Sequence, residues 1–160
     1  MELYLLRHGI AADVAPHGSG DAGRPLTEEG ITKMYMEARG LKKLDLHLDL
    51  ILTSPLVRAQ QTADIVGETL HMTVHQAEEL ALGCGVAQLR VLLQRYPDAE
   101  RVMIVGHEPD FSSLIGTLTG GSSVVMKKGG LGRVDLYAVE AHMGTLSWLL
   151  PPRVLRTIGK

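Results

Sequence analysis

The chain has 160 residues, a length that suits one globular domain over 1–160. Hydrophobic residues at 45% and charged residues at 21% exclude a disordered tail or a fibre, and aromatics at only 4% leave an aliphatic core. A formal charge of −2 excludes a general binder of nucleic acid or of anionic membrane, since both need a net positive field.

Residues 2–6 are short and apolar and run into a charged turn, as a buried strand does. The opening Met-Glu-Leu-Tyr-Leu-Leu-Arg-His meets charge too early for a secretory signal, and no apolar run has bilayer length. The expectation is a cytoplasmic protein with no membrane partner. Between Ala11 and Pro25 the density of Gly, Asp and Pro predicts a long loop. Thr27 followed by Glu28 and Glu29 predicts a capped helix to about Leu44, with Ile31, Met34, Ala38 and Leu41 facing inward.

Leu50 to Thr53 form the next predicted strand. Ser54-Pro55 then signals a helix start, with a hydroxyl cap and proline first, and that helix carries Arg58 and runs towards Leu70. Thr73 to Gln76 suit a short strand, Val86 to Tyr96 a helix, and Arg101 to Val105 a buried strand stopped by Gly106. Pro109 opens a helix through Leu118 with Phe111, Leu114, Ile115 and Leu118 inward. Val134 to Glu140 and Thr145 to Leu150 suit a terminal hairpin, and Pro151-Pro152 is expected to end regular structure. Strands alternating with helices predict a three-layer α/β/α sandwich around a mostly parallel sheet.

Three segments share one layout, a buried strand that runs out into polar or cationic residues: Leu6-Arg7-His8-Gly9, Thr53-Ser54-Pro55-Leu56-Val57-Arg58, and Val105-Gly106-His107-Glu108-Pro109. In open α/β sheets ligands bind beyond the carboxyl ends of the strands. These strands therefore aim Arg7, Arg58, His8 and His107 at one crevice, and two of them lead into helix N-termini that attract anions. Guanidinium forks beside imidazoles suit a phosphoryl group. No acidic set beside them suits Mg²⁺, so neither a metal nor a cofactor is expected.

These residues carry a resemblance. Leu-Leu-Arg7-His8-Gly9 is similar to the defining motif of the histidine phosphatase superfamily, the phosphoglycerate mutase-like fold. The similarity continues through Arg24-Pro25-Leu26-Thr27 with Gly30, Thr53-Ser54-Pro55 with Arg58-Ala59 and Gln61-Thr62-Ala63, and Val105-Gly106-His107. The resemblance implies that His8 accepts the phosphoryl group and that Arg7, Arg58 and His107 bind and neutralise it. A phosphohistidine on His8 would then be hydrolysed by water, by positioning and charge stabilisation.

Larger members of the superfamily carry insertions between the Arg58 helix and the His107 strand, which cover the site and supply an acid for an alkoxide leaving group. This chain is compact there and lacks large insertions, with Glu78 and Glu79 the candidate acids; a solvated carboxylate is the competing reading of Glu79. It most resembles the SixA-type phosphohistidine phosphatases. A phosphorylated imidazole can carry its own proton, so its departure needs little acid. The implied substrate is phosphohistidine in a protein; the alternatives are a small phosphate ester, with Glu78 or Glu79 as acid, or phosphate binding without turnover.

Other features carry less. Gly18-Ser19-Gly20-Asp21-Ala22-Gly23 spells a dinucleotide fingerprint but lacks the preceding strand and runs into Pro25. Its glycines fit a loop beside His8 from which Ser19 could reach a phosphate. His71 and His75 straddle a helix end and make a poor metal pair. Lys127-Lys128 suits a solvated turn or a contact with an acidic protein. Cys84, the only cysteine, has no visible activating partner.

Overall fold

Along Leu3–Leu6 every side chain is buried, Leu3 and Leu5 in one apolar cluster and Tyr4 and Leu6 in another. A strand buried on both faces belongs inside a sheet covered by helices on either side. The computed structural model describes residues 1–121 and 123–160. In chain order come β1 (Glu2–Arg7), α1 (Glu28–Leu44), β2 (Leu50–Thr53), α2 (Val57–Leu70), β3 (Val74–Gln76), α3 (Val86–Leu93), β4 (Arg101–Gly106), α4 (Asp110–Leu118), β5 (Leu131–Leu136), β6 (Gly144–Leu150) and α5 (Pro152–Ile158). The described strands form one six-stranded sheet in the order β3-β2-β4-β1-β5-β6. β3, β2, β4 and β1 are parallel, and β5 and β6 extend the sheet antiparallel. α3 and α4 cover the face of Leu3 and Leu5, and α1, α2 and α5 the face of Tyr4 and Leu6.

Strand register sets the heights at which the parallel strands end. Arg7 pairs with Gly106 and Thr53 with Val105, so β1, β4 and β2 stop level with one another. The loop from 11 to 25 holds two single 3₁₀ turns, Pro16–Gly18 and Asp21–Gly23. Thr27 caps α1 by accepting from the Gly30 N–H at 2.9 Å. Among the described residues no helix is long and apolar enough to cross a membrane. Cys84 is free and buried, and burial pushes its thiol up to about 11.

Several expectations are corrected. Ile31 is exposed, and the buried stripe of α1 is Gly30, Met34, Glu37, Ala38, Gly40 and Leu41. Close backbone contact turns the helix this way: a Cβ at Gly30 would collide with the Ile10 carbonyl, and one at Gly40 with the Leu155 carbonyl. Ser54 does not cap α2. Its hydroxyl accepts from Leu56 N–H at 3.2 Å, and the helix starts only at Val57, with Pro55 outside it, because Ser54 faces His107 instead. α3 stops at Leu93 rather than Tyr96.

The terminal hairpin begins earlier than expected, at Leu131, and residues 137–143 form its bend, closed by Tyr137 N–H donating to the Met143 carbonyl at 2.8 Å. Pro151-Pro152 starts structure instead of ending it: Pro151 is the extended cap and Pro152 opens α5, where a missing N–H costs nothing. Leu155 of α5 is then buried against α1.

Replacing Gly40 by Ala is expected to force α1 and α5 apart and to cost about 1–3 kcal/mol, despite the ~1 kcal/mol that alanine gains in a helix. A lower urea midpoint at unchanged slope is the expected reading. An unchanged midpoint would show that the two helices are not held in this close contact.

Candidate active site

Beyond the level ends of β1, β4 and β2 the chain delivers His8, His107 and Ser54, each one residue past its strand. Backbone bonds hold them side by side: His8 N–H donates to the Gly106 carbonyl and Ser54 N–H to the Val105 carbonyl, both at 3.0 Å. The two imidazoles are buried with ring centres 5.2 Å apart. Arg58, in the first turn of α2, is also buried, and its Nε donates to His8 Nε2 at 3.3 Å.

The other nitrogen of His8, Nδ1, lies 2.8 Å from the Gly9 carbonyl oxygen. A carbonyl can only accept, so Nδ1 carries the proton and Nε2 keeps its lone pair. Burial pushes His8 down to about 3, aided by His107, Arg58 and Arg7, with the Gly9 bond opposing. His107 falls to about 4 through burial and then Arg58. Both rings are therefore neutral at neutral pH. His107 Nε2 is 2.7 Å from Ser54 Oγ, and its buried Nδ1 has no partner among the described residues.

Arg7 ends β1 with Nη1 donating to the Met126 carbonyl at 2.7 Å, and its positive charge acts on both imidazoles. Thr62, one turn after Arg58, accepts from Gly9 N–H at 3.0 Å and donates to the Arg58 carbonyl at 2.7 Å, tying the turn after β1 to α2. Asp21 closes the pocket from the loop. Arg58 Nη2 donates to its carboxylate at 3.0 Å and Nη1 to its carbonyl at 2.8 Å. The bond from Arg58 holds the Asp21 carboxyl below the usual range, so it stays ionised.

The structure thus brings together His8, Arg58 and His107, with Arg7 at the edge. It does not bring Ser19, Glu78 or Glu79 to them. The exposed Ser19 hydroxyl donates to the Pro16 carbonyl at 2.9 Å. Glu79 accepts from Arg95 at 2.8 Å, and Glu78 is exposed in a 3₁₀ turn. Sequence reasoning missed Asp21, which it placed in a chance glycine pattern, and the role of Ser54 as partner of His107. Thr62 enters the sequence reading only within Gln61-Thr62-Ala63, with no role given to it. Among the described residues no group of three His, Cys, Asp or Glu side chains stands ready for a metal. What the site offers is a neutral imidazole whose one lone pair is held only by the guanidinium beside it, and a second neutral imidazole.

The chain is similar to known proteins over nearly its whole length. The model of the histidine phosphatase superfamily (branch 1) matches residues 3–81. The phosphohistidine phosphatase SixA of Escherichia coli is 30% identical over 158 residues, covering 95% of this chain and 94% of that protein. A solved structure of the protein histidine phosphatase SixA complexed with tungstate superposes with a TM-score of 0.85 at 28% identity, covering 97% of this chain and 99% of the other. The adenosylcobalamin/alpha-ribazole phosphatase of Salmonella typhimurium is 42% identical over 83 residues, 50% of this chain and 39% of that enzyme.

Two predictions arise from the site. Both imidazoles are expected to give neutral-ring ¹⁵N shifts at pH 5. Because their folded values lie below the ordinary 6.5, the neutral rings favour the fold above that pH. This contribution is lost as pH falls from 6.5 towards 4 and 3, so the urea midpoint should drop less steeply in a His8→Asn variant. An oxyanion entering the pocket has to replace Asp21 on Arg58. Asp21→Asn is expected to tighten inorganic phosphate binding about fivefold by calorimetry, by removing a competing charge. Weaker binding would show that Asp21 positions Arg58 rather than competing for it.

Proposed function

The chain belongs to the histidine phosphatase superfamily, and from that premise we propose that this phosphatase removes the phosphoryl group from phosphohistidine in a protein, through His8 and without a metal. The observation that carries the reading is the state of His8: neutral, anchored through Nδ1–H on Gly9, with the Nε2 lone pair facing Arg58. In-line attack by Nε2 forms the new N–P bond as the substrate's N–P bond breaks. A substrate imidazole protonated on its other nitrogen leaves as a neutral ring, so no proton has to be supplied. Water then attacks the phosphorus of phospho-His8, giving dihydrogen phosphate and neutral His8.

Arg58 and Arg7 offset the charge of the transferred group, and a phosphoryl oxygen would give the buried His107 Nδ1 the partner it lacks. The similarity to the phosphohistidine phosphatase SixA supports this substrate. So does the placement of the acids: Glu79 is tied to Arg95, Glu78 faces solvent, and Asp21 has no proton to give. Nothing in this chemistry needs a compartment other than the cytoplasm.

A second reading has its own support. The alpha-ribazole phosphatase of Salmonella typhimurium is a phosphatase of a small metabolite, similar to half of this chain. An alkyl ester leaves as an alkoxide and needs a proton. Glu79 is bonded to Arg95 and Glu78 is exposed. Glu108, next to His107 and within electrostatic reach of Arg7, is the other carboxyl for that chemistry, and it would have to give up the bonds that Ser112 N–H and Oγ–H make to its two oxygens.

The deciding measurement is ³¹P NMR with EDTA present, on a sample holding both a phosphohistidine protein and an alkyl phosphomonoester. The phosphohistidine signal is expected to give way to inorganic phosphate, and to persist with a His8→Ala variant. Faster loss of the ester would establish the metabolite reading, and two unchanged signals would leave a protein that binds phosphate without turning it over.

A further inference from the structure

Beside the pocket, on the side of Arg7, lies a second concavity. The cleft of about 340 Å³ is bounded by α1, α5 and the 127–129 turn, and opens at Arg7 and Gly9. Lys33, Lys127, Lys128 and Arg156 line it. Its inner carboxylate, Glu37, is buried and already bonded to Arg156, and Lys33 is paired with Glu29. Lys127 and Lys128 are exposed and belong to none of the ion pairs among the described residues. On a chain of net charge −2 this is a local positive field, not a share of a general one.

The two lysines are tied to the pocket. The Met126 carbonyl, one residue before Lys127, accepts from Arg7 Nη1 at 2.7 Å. Gly129 N–H, one residue after Lys128, donates to the Arg7 and His8 carbonyls at 3.0 and 3.1 Å. Gly130 N–H closes the turn on the Lys127 carbonyl at 2.7 Å. A Cβ at Gly129, whose φ is +78°, would collide with the Glu37 carboxylate, so the turn is pressed between the end of β1 and α1. The ammonium groups therefore ride on a braced turn that also buttresses the phosphoryl-binding arginine.

We infer that this cleft seats an acidic segment of the protein substrate, next in sequence to the residue being dephosphorylated. The inference rests on the reading of a phosphohistidine protein as substrate. Lysines are point charges on flexible stems, suited to carboxylates of variable position, whereas a second phosphoryl group would favour the fixed fork of an arginine. The one arginine deep in the cleft, Arg156, is already held by Glu37. A carboxylate a few residues from the phosphorylated side chain would meet Lys127 and Lys128 as the phosphoryl group meets Arg7. The effect falls on encounter and on KM, while the chemistry at His8 stays as it is.

The test compares two synthetic phosphohistidine peptides of equal length, one flanked by Asp and Glu and one by Ser and Gln, with phosphoramidate as a substrate too small to span from the pocket to the cleft. At low salt the enzyme is expected to prefer the acidic peptide in kcat/KM by about tenfold. The preference should shrink in a K127Q/K128Q variant and vanish or invert in K127E/K128E, while phosphoramidate turnover falls far less in either variant than turnover of the acidic peptide. Equal rates on the two peptides, or a preference that survives charge reversal, overturn the inference. Equal loss on all substrates also overturns it, because the lysines would then only hold the Arg7 turn. If the unmodified enzyme spares both peptides yet hydrolyses phosphomonoesters, the substrate reading falls first and the inference falls with it.

Discussion

Three parallel strands that end level with one another are the constraint on which the site depends. Residues 8, 54 and 107 are remote in the chain, and pairing Arg7 with Gly106 and Thr53 with Val105 is what makes them neighbours. A slip of one residue in either ladder would turn a buried side chain to the opposite face and separate the two imidazoles. The apolar run of each strand pins the register, because Leu3–Leu6 and Val102–Val105 are buried on both faces and have no solvent side to slip into. Packing of the sheet and geometry of the pocket are thus one problem with one solution.

The electrostatics of the pocket are a product of burial. Putting two imidazoles and a guanidinium out of water leaves the guanidinium charged, and the rings respond by giving up their protons. The Gly9 carbonyl then decides which nitrogen of His8 keeps its hydrogen, and Thr62 holds Gly9 against α2. Asp21 supplies the counter-charge that a buried arginine needs, and it does so from a half-exposed position on a surface loop. The pocket is balanced with an anion of its own.

Much of this was legible in the sequence. Strand ends followed by Arg7-His8, Ser54 to Arg58 and Gly106-His107 pointed to one crevice, since apolar runs and their stops are local signals and parallel βα units leave little choice of topology. Where reading failed, a tertiary contact overrode the local signal. Ile31 fits the helical period of α1, yet glycines at 30 and 40 let the backbone of other segments approach and rotate the buried face. Ser54-Pro55 has the chemistry of a helix start, but His107 claims the hydroxyl. Pro151-Pro152 reads equally as an end or a beginning, and only the groove offered by α1 decides for α5. Glu79 reads as a candidate acid or, more readily, a solvated carboxylate, and its bond to Arg95, sixteen residues on, agrees with the second. Asp21 had no signature at all, because nothing in a loop sequence tells which distant guanidinium it will meet.

The single cysteine has a consequence for the conditions in which such an enzyme works. A thiolate is what oxidants and alkylating agents attack, and Cys84 is buried with its thiol held protonated at physiological pH. On the proposed mechanism the nucleophile is an imidazole, so peroxide would find neither a reactive sulfur to silence nor a pair of thiols to bridge. Phosphatases built on cysteine are coupled to the redox state of the cell by their own mechanism. A phosphatase working through His8 would be decoupled from it, and its turnover would hold at the same rate under oxidative stress as in its absence.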